Sequence, residues 1–65
     1  SDVVTLELPE GEIYTMQLLD QSGRIQHQQK SYGMVQLDIT GYPKGWYSFR
    51  IIQEDKVKVI KVLFL

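Results

Sequence analysis

Few residues in this chain have the chemistry to act on a substrate. His27 is the only histidine, and it lies in the polar run Gln26-His27-Gln28-Gln29. A serine or threonine nucleophile needs a base beside it, and a lone histidine among glutamines reads as an exposed strand side chain. Glu10 and Glu12 flank a turn glycine, and Glu54-Asp55 form a second acidic pair. Paired acids divide acid and base roles when burial separates their pKa values, whereas turn acids stay solvated. One histidine and scattered aspartates do not converge three or four ligands on a metal, and the glycines match no phosphate-binding spacing. The expectation is a non-enzyme with no catalytic, metal or cofactor residues.

Length and charge narrow the class. Sixty-five residues make a single domain, expected over 1–65. A chain this short buries only about 60% of its unfolded surface, so its core is marginal. Cysteine is absent, which removes disulfide and thiolate-metal support. The net charge is −1 and the isoelectric point 5.6, with nothing that marks a nucleic-acid surface. No apolar run approaches the roughly 20 residues of a membrane-spanning helix. The start at Ser1, without Met or signal peptide, reads as a piece of something longer.

The elements that would position any site are strands. Val4, Leu6 and Leu8 alternate with Thr5 and Glu7, and Pro9-Glu10-Gly11 ends that strand. Ile13 to Leu19 reads as the second, with Tyr14, Met16 and Leu18 on one face. Asp20-Gln21-Ser22-Gly23 is a turn signal, because Asp bonds amides ahead of it and Gly takes the left-handed position. The third strand, Arg24 to Lys30, is too polar to be central and is expected at an edge. A loop over Ser31 to Met34 and a fourth strand over Val35 to Ile39 follow.

Leu37 to Ile51, LDITGYPKGWYSFRI, organises the whole. Leu37 and Ile39 share a face, Gly41, Pro43 and Gly45 then break regular structure, and Tyr47, Phe49 and Ile51 resume the alternation. This corner is expected to link two sheets. The fifth strand runs from Gly45 to Gln53, Glu54-Asp55-Lys56 turns the chain, and Val57 to Leu65 is the sixth. The sixth is apolar on both faces except at Lys58 and Lys61, which suits a central strand or an edge that a partner covers. No stretch has helical period. The fold expected is an all-β, small immunoglobulin-like antiparallel sandwich of about six to seven strands, with Met16, Leu18, Leu37, Ile39, Tyr47, Phe49 and Ile51 largely buried. Of the aromatic residues, Tyr42 and Trp46 could form a platform for a sugar ring, with Trp46 packed on its own sheet as the alternative.

The ordered set DQSGRI, LDITGYPKGWYSFRI and KVIKVLFL resembles the type IX secretion system C-terminal sorting domain of Bacteroidota, also called the Por secretion tail. Asp20 and Gly23 match its opening turn, and Asp38, Ile39 and Thr40 its Asp-hydrophobic-Ser/Thr segment. Pro43, Gly45, Trp46 and Tyr47 match its corner, and Lys61, Val62 and Leu63 its closing strand. Two departures stand out: Tyr42 replaces a usual Leu, and the family's Asn- and Pro-rich leading segment is absent. The ending Val-Leu-Phe-Leu fits a natural C-terminus.

The resemblance implies a sorting signal attached to a large passenger, often a protease, adhesin or polysaccharide-degrading enzyme. Such a passenger crosses the inner membrane and folds in the periplasm, and its terminal sandwich is recognised by secretion-machinery proteins. A sortase-like cysteine protease then removes the signal, leaving the passenger released or joined to lipopolysaccharide at the cell surface. The expected recognition residues are Lys58, Lys61, Val62, Leu63, Phe64 and Leu65, read by strand pairing. Asp20, Gly23, Asp38, Pro43, Gly45 and Tyr47 are expected to be structural. An uncovered edge could also give a strand-paired or swapped homodimer. The other readings are a carbohydrate- or partner-binding sandwich, marked by a groove lined by Trp46 and Tyr42, and an immunoglobulin-like spacer.

Overall fold

A computed structural model describes residues 2–65 as six strands: β1 (Val3–Glu7), β2 (Ile13–Leu19), β3 (Ile25–Tyr32), β4 (Met34–Asp38), β5 (Gly45–Gln53) and β6 (Lys56–Phe64). β1 and β4 pair antiparallel in a small sheet, and a four-stranded antiparallel sheet has the order β3-β2-β5-β6. The shortest axis of the molecule is 15 Å, room for two sheets about 10 Å apart and no third layer. The all-β sandwich is as the alternation of apolar residues predicts.

The core lies where the small sheet covers the large one. Tyr14, Met16 and Leu18 of β2 meet Tyr47, Phe49 and Ile51 of β5, with Val35 and Leu37 of β4 and Phe64 of β6. Met16, Leu18 and Phe49 have no exposed surface at all. Val4, Leu6 and Leu8 pack against this cluster from the β1 side. Burying an aliphatic or aromatic side chain contributes about 1.5–3 kcal/mol, so this cluster is the main stabilising element of a small chain.

The chain crosses between sheets at the expected corner, from β4 to β5. Asp38 starts it by accepting the backbone N–H of Thr40 at 2.9 Å, and Tyr42 N–H bonds the Ile39 carbonyl at 3.0 Å. Tyr47 then donates its hydroxyl back to the Pro43 carbonyl at 2.7 Å, fixing the entry into β5. Gly45 has φ of 141° and Gly23 in the β2–β3 turn has φ of 90°, both in the region that disfavours a Cβ.

Several boundaries differ from the sequence reading: β3 starts at Ile25 rather than Arg24, and β6 runs one residue earlier, from Lys56 to Phe64, because Lys56 pairs with Gln53. The third strand continues through Tyr32, because Ile13 pairs with Tyr32 and Tyr14 with Ser31. The loop expected over Ser31 to Met34 is thereby reduced to Gly33, and β4 starts and ends one residue early. Ile39 is only half-buried, since it follows the end of β4 and its N–H is held by the Asp2 carbonyl. The last strand is not central: it is an edge of the large sheet, and Val57, Val59 and Leu63 on its outward face are exposed.

A Cβ built on Gly23 or Gly45 would meet no atom within 4 Å, so a side chain there is opposed by backbone conformation alone. Gly23→Val and Gly45→Val should each lower stability by about 1–2 kcal/mol in urea unfolding. Equal midpoints for wild type and both variants would contradict this account of the two turns.

Candidate functional site

β6 forms as a strand because valine and isoleucine alternate along it, and it is anchored at its end by Phe64. Phe64 is buried and stacks on Tyr47 with ring centroids 4.2 Å apart. The register against β5 runs from Gln53↔Lys56 to Gly45↔Phe64, leaving the other long side of β6 without a neighbouring strand among the described residues. Alternation divides the candidate recognition residues. Lys58, Val62 and Phe64 lie on the inward face, with Val62 half-buried. Lys61 and Leu63 lie on the outward face, and Leu65 beyond the strand is exposed. Lys58 is exposed although it pairs with buried Ile51, because a two-stranded sheet cannot cover four strands.

Lys61 is further positioned by Trp46. Its Nζ stands 5.8 Å from the centre of the Trp46 ring, a cation–π contact worth about 0.5–1 kcal/mol on an exposed surface. Trp46 is half-exposed on the outer face of β5, opposite Leu63. Tyr42 is elsewhere: it packs on the core side, with ring centroids 6.3 Å from Tyr47 and 6.4 Å from Phe64. The two aromatics weighed as a sugar platform therefore do not share one surface. An open cleft of about 300 Å³ includes Trp46 and Tyr47 with the Asp20–Arg24 turn and Pro43–Gly45, but not Tyr42.

The β2–β3 turn is built around Asp20. Its Oδ1 accepts the backbone N–H groups of Ser22 and Arg24 at 2.9 Å and the Ser22 hydroxyl at 2.7 Å. Its Oδ2 accepts Arg24 Nε at 3.1 Å and Gln26 Nε2 at 2.9 Å. The Ser22 hydroxyl bond, followed by the Arg24 backbone N–H, lowers the Asp20 pKa from 3.8 to about 2. Asp38 is lowered as well, by the Thr40 hydroxyl first and the Thr40 N–H second. Asp20 has both oxygens occupied by local donors, Asp38 has one occupied by Thr40, and each acts on the turn that holds it.

Of the remaining candidates for chemistry, His27 and Glu12 are engaged locally, whereas Glu10, Glu54 and Asp55 are exposed in turns. His27 bonds Gln29 Oε1 at 2.7 Å through a ring nitrogen, and Gln29 in turn donates to the Ser31 hydroxyl at 3.1 Å. Glu12 accepts the Tyr14 hydroxyl at 2.9 Å, and burial, reinforced by that bond, raises the Tyr14 pKa. No group of three His, Cys, Asp or Glu side chains suited to a metal occurs among the described residues. No helix of the described residues is long and apolar enough to cross a membrane.

One arrangement escaped the sequence reading. Across the outer face of the large sheet, Arg50 Nη1 donates to Gln17 Oε1 at 3.2 Å, and Gln17 Nε2 donates to Gln28 Oε1 at 2.8 Å. The three residues are cross-strand partners on β5, β2 and β3. Only the register brings them together; their phase along each strand was the sole signal in the sequence.

The described residues thus form a two-layer antiparallel sandwich with an irregular corner and an open, lysine-bearing last strand. The model of the secretion system C-terminal sorting domain matches residues 1–64, and the chain belongs to that family. It is thus a C-terminal sorting signal of type IX secretion, a class that interacts with the secretion machinery and directs export to the cell surface or extracellular space. No curated protein matches the chain.

The Asp20 shift has a defined sign. Its folded pKa is depressed, so its stabilising effect is complete above about pH 4 and is lost as pH falls toward 2. Thermal melts between pH 2 and pH 7 should show wild type losing part of its advantage over Asp20→Asn across that window. Parallel profiles would refute the carboxylate's role in the turn.

Proposed function

We propose that this domain carries an upstream passenger through the type IX machinery by offering the open edge of β6 for strand pairing, and that a sortase-like protease afterwards removes it. The observation that supports this reading is the single-sided pairing of β6 within a chain of this family. Its unpaired backbone groups form a template for one more strand, and main-chain bonds would supply affinity while alternate side chains supply selectivity. Lys58, Lys61, Leu63 and Leu65 are the exposed members of the docking set. Val62 and Phe64 hold the strand to the core, so they act on recognition through its position. The passenger would fold in the periplasm before export and end released or anchored at the surface.

The test fuses the domain, with its natural upstream linker, to an inert periplasmic reporter in a bacterium that has the machinery. Wild-type fusion should reach the surface. Removing Lys61 to Leu65 should leave the reporter in the periplasm, since anchor and edge go together. Lys58→Glu with Lys61→Glu keeps strand length and apolar positions and separates docking from folding. Loss of export by the folded double variant would support docking at this edge, whereas export unaffected by the terminal deletion would reject the sorting reading in favour of a spacer.

The same edge has a second possible occupant, another copy of itself. At high concentration and without machinery, the wild-type domain should sediment as a strand-paired or swapped dimer. A wild-type monomer under those conditions would remove self-pairing from the account.

A further inference from the structure

Charge is divided between the two sheets. The strands of the large sheet carry Lys30, Arg50, Lys56, Lys58 and Lys61 and no Asp or Glu. β1 and β4 carry Glu7 and Asp38 and no cation. Every remaining acid lies in a turn or beside the first strand. A net charge of −1 for the chain conceals this separation.

Lys30, Arg50 and Lys61 all project from the outer face of the large sheet, since each is a direct cross-strand partner of an outward residue: Thr15, Gln17 and Ser48 respectively. Between them lie the polar residues Thr15, Gln17, Gln28 and Ser48, and the β6 margin of the face is apolar, with Val59 directly opposite Arg50. The hydrogen-bonded row from Arg50 through Gln17 to Gln28 runs in one direction. Arg50 donates, Gln17 relays, and the Gln28 amide ends the row with its own N–H₂ unspent. The other guanidinium N–H groups of Arg50 have no acceptor among the described residues. Asp20, at the end of β2, lines one hollow with Arg50 and Val59, but its oxygens are taken by Ser22, Arg24 and Gln26, so the donors at the centre of this face are held in place and left unanswered.

We propose that this outer face is a second docking surface, and that its occupant is an acidic protein surface whose carboxylate pairs with the Arg50 guanidinium. The inference rests on the sorting reading and assigns a machinery contact to the sheet face, distinct from the β6 edge. Aromatic and arginine side chains with few acids are the composition of interface centres, and Arg binds carboxylates through two parallel N–H···O bonds. A second copy of the same face is excluded as occupant, because it would set Lys30, Arg50 and Lys61 against like charges. Four strands about 4.8 Å apart and about 25 Å long give roughly 500 Å², less than the ~800 Å² per partner of a lasting complex. The contact is of a size to form and release, as passage through a machine requires.

The test uses the reporter fusion in the same bacterium, with Arg50→Glu and Lys30→Glu on the face and β6 untouched. The double variant should keep the wild-type circular dichroism and melting temperature, and its export should fall by about tenfold or more, as like charges meet across the contact. In an otherwise wild-type fusion, Thr15, on the outer face of β2 and away from β6, replaced by the photo-crosslinker p-benzoylphenylalanine should attach to an Asp- and Glu-rich segment of a machinery protein. Export of the folded Arg50→Glu, Lys30→Glu variant at wild-type level would overturn this surface while leaving the sorting reading intact. Failure of the wild-type fusion itself to export would reject both. Crosslinking confined to lipid, or salt-sensitive binding to phosphatidylglycerol vesicles that the double variant loses, would assign the face to a membrane and overturn the protein occupant.

Discussion

The bond from the Tyr47 hydroxyl to the Pro43 carbonyl, with the Phe64 ring stacked on Tyr47, is the constraint on which the structure depends. It joins the corner, the fifth strand and the end of the sixth at one side chain. A buried phenol satisfied by a backbone carbonyl retains its packing without the cost of an unpaired polar atom. The direction in which the chain leaves the corner sets the face that Tyr47, Phe49 and Ile51 present, and a shift of one residue would expose all three. Phe64 then fixes the register of β6, so the open edge is positioned from the corner.

Two strands lying over four produce most of the remaining features. The inner faces of β2 and β5 are covered and apolar. The inner face of β3 lies at the margin and is polar, with His27, Gln29 and Ser31 bonded to one another along it. At the opposite margin β6 keeps Ile60 and Val62 half-buried and Lys58 in solvent. The same strand can thus be apolar enough to belong to the sandwich and open enough to take a partner. Its lysines protrude on both sides, which discourages unselective pairing.

Much of this was legible in the sequence, for particular reasons. Period-2 alternation located Met16, Leu18, Phe49 and Ile51, because an antiparallel sheet with one buried face has to display it. The polarity of Gln26 to Lys30 placed the third strand at an edge, and glycine and proline located the corner. The apolar last strand was ambiguous, since hydrophobicity on both faces describes a buried strand and an uncovered one equally well. Tyr42 and Trp46 could not be separated by spacing, because the corner rotates the chain between them. The Arg50–Gln17–Gln28 row was invisible for a related reason: strand pairing over long sequence separations is decided by the register of three strands at once.

The small sheet has one further consequence, for how the domain yields. β1 is bonded to β4 alone, through pairs from Val3↔Asp38 to Glu7↔Met34, whereas β2 and β5 are each held on both sides. Lifting β1 breaks a single ladder and leaves the four-stranded sheet whole, so opening there costs less than opening at β2 or β5. That opening withdraws Val4, Leu6 and Leu8 from the core cluster while β6 remains in place. The sandwich gives way as a lid comes off a base, and the base still carries the edge by which it is recognised.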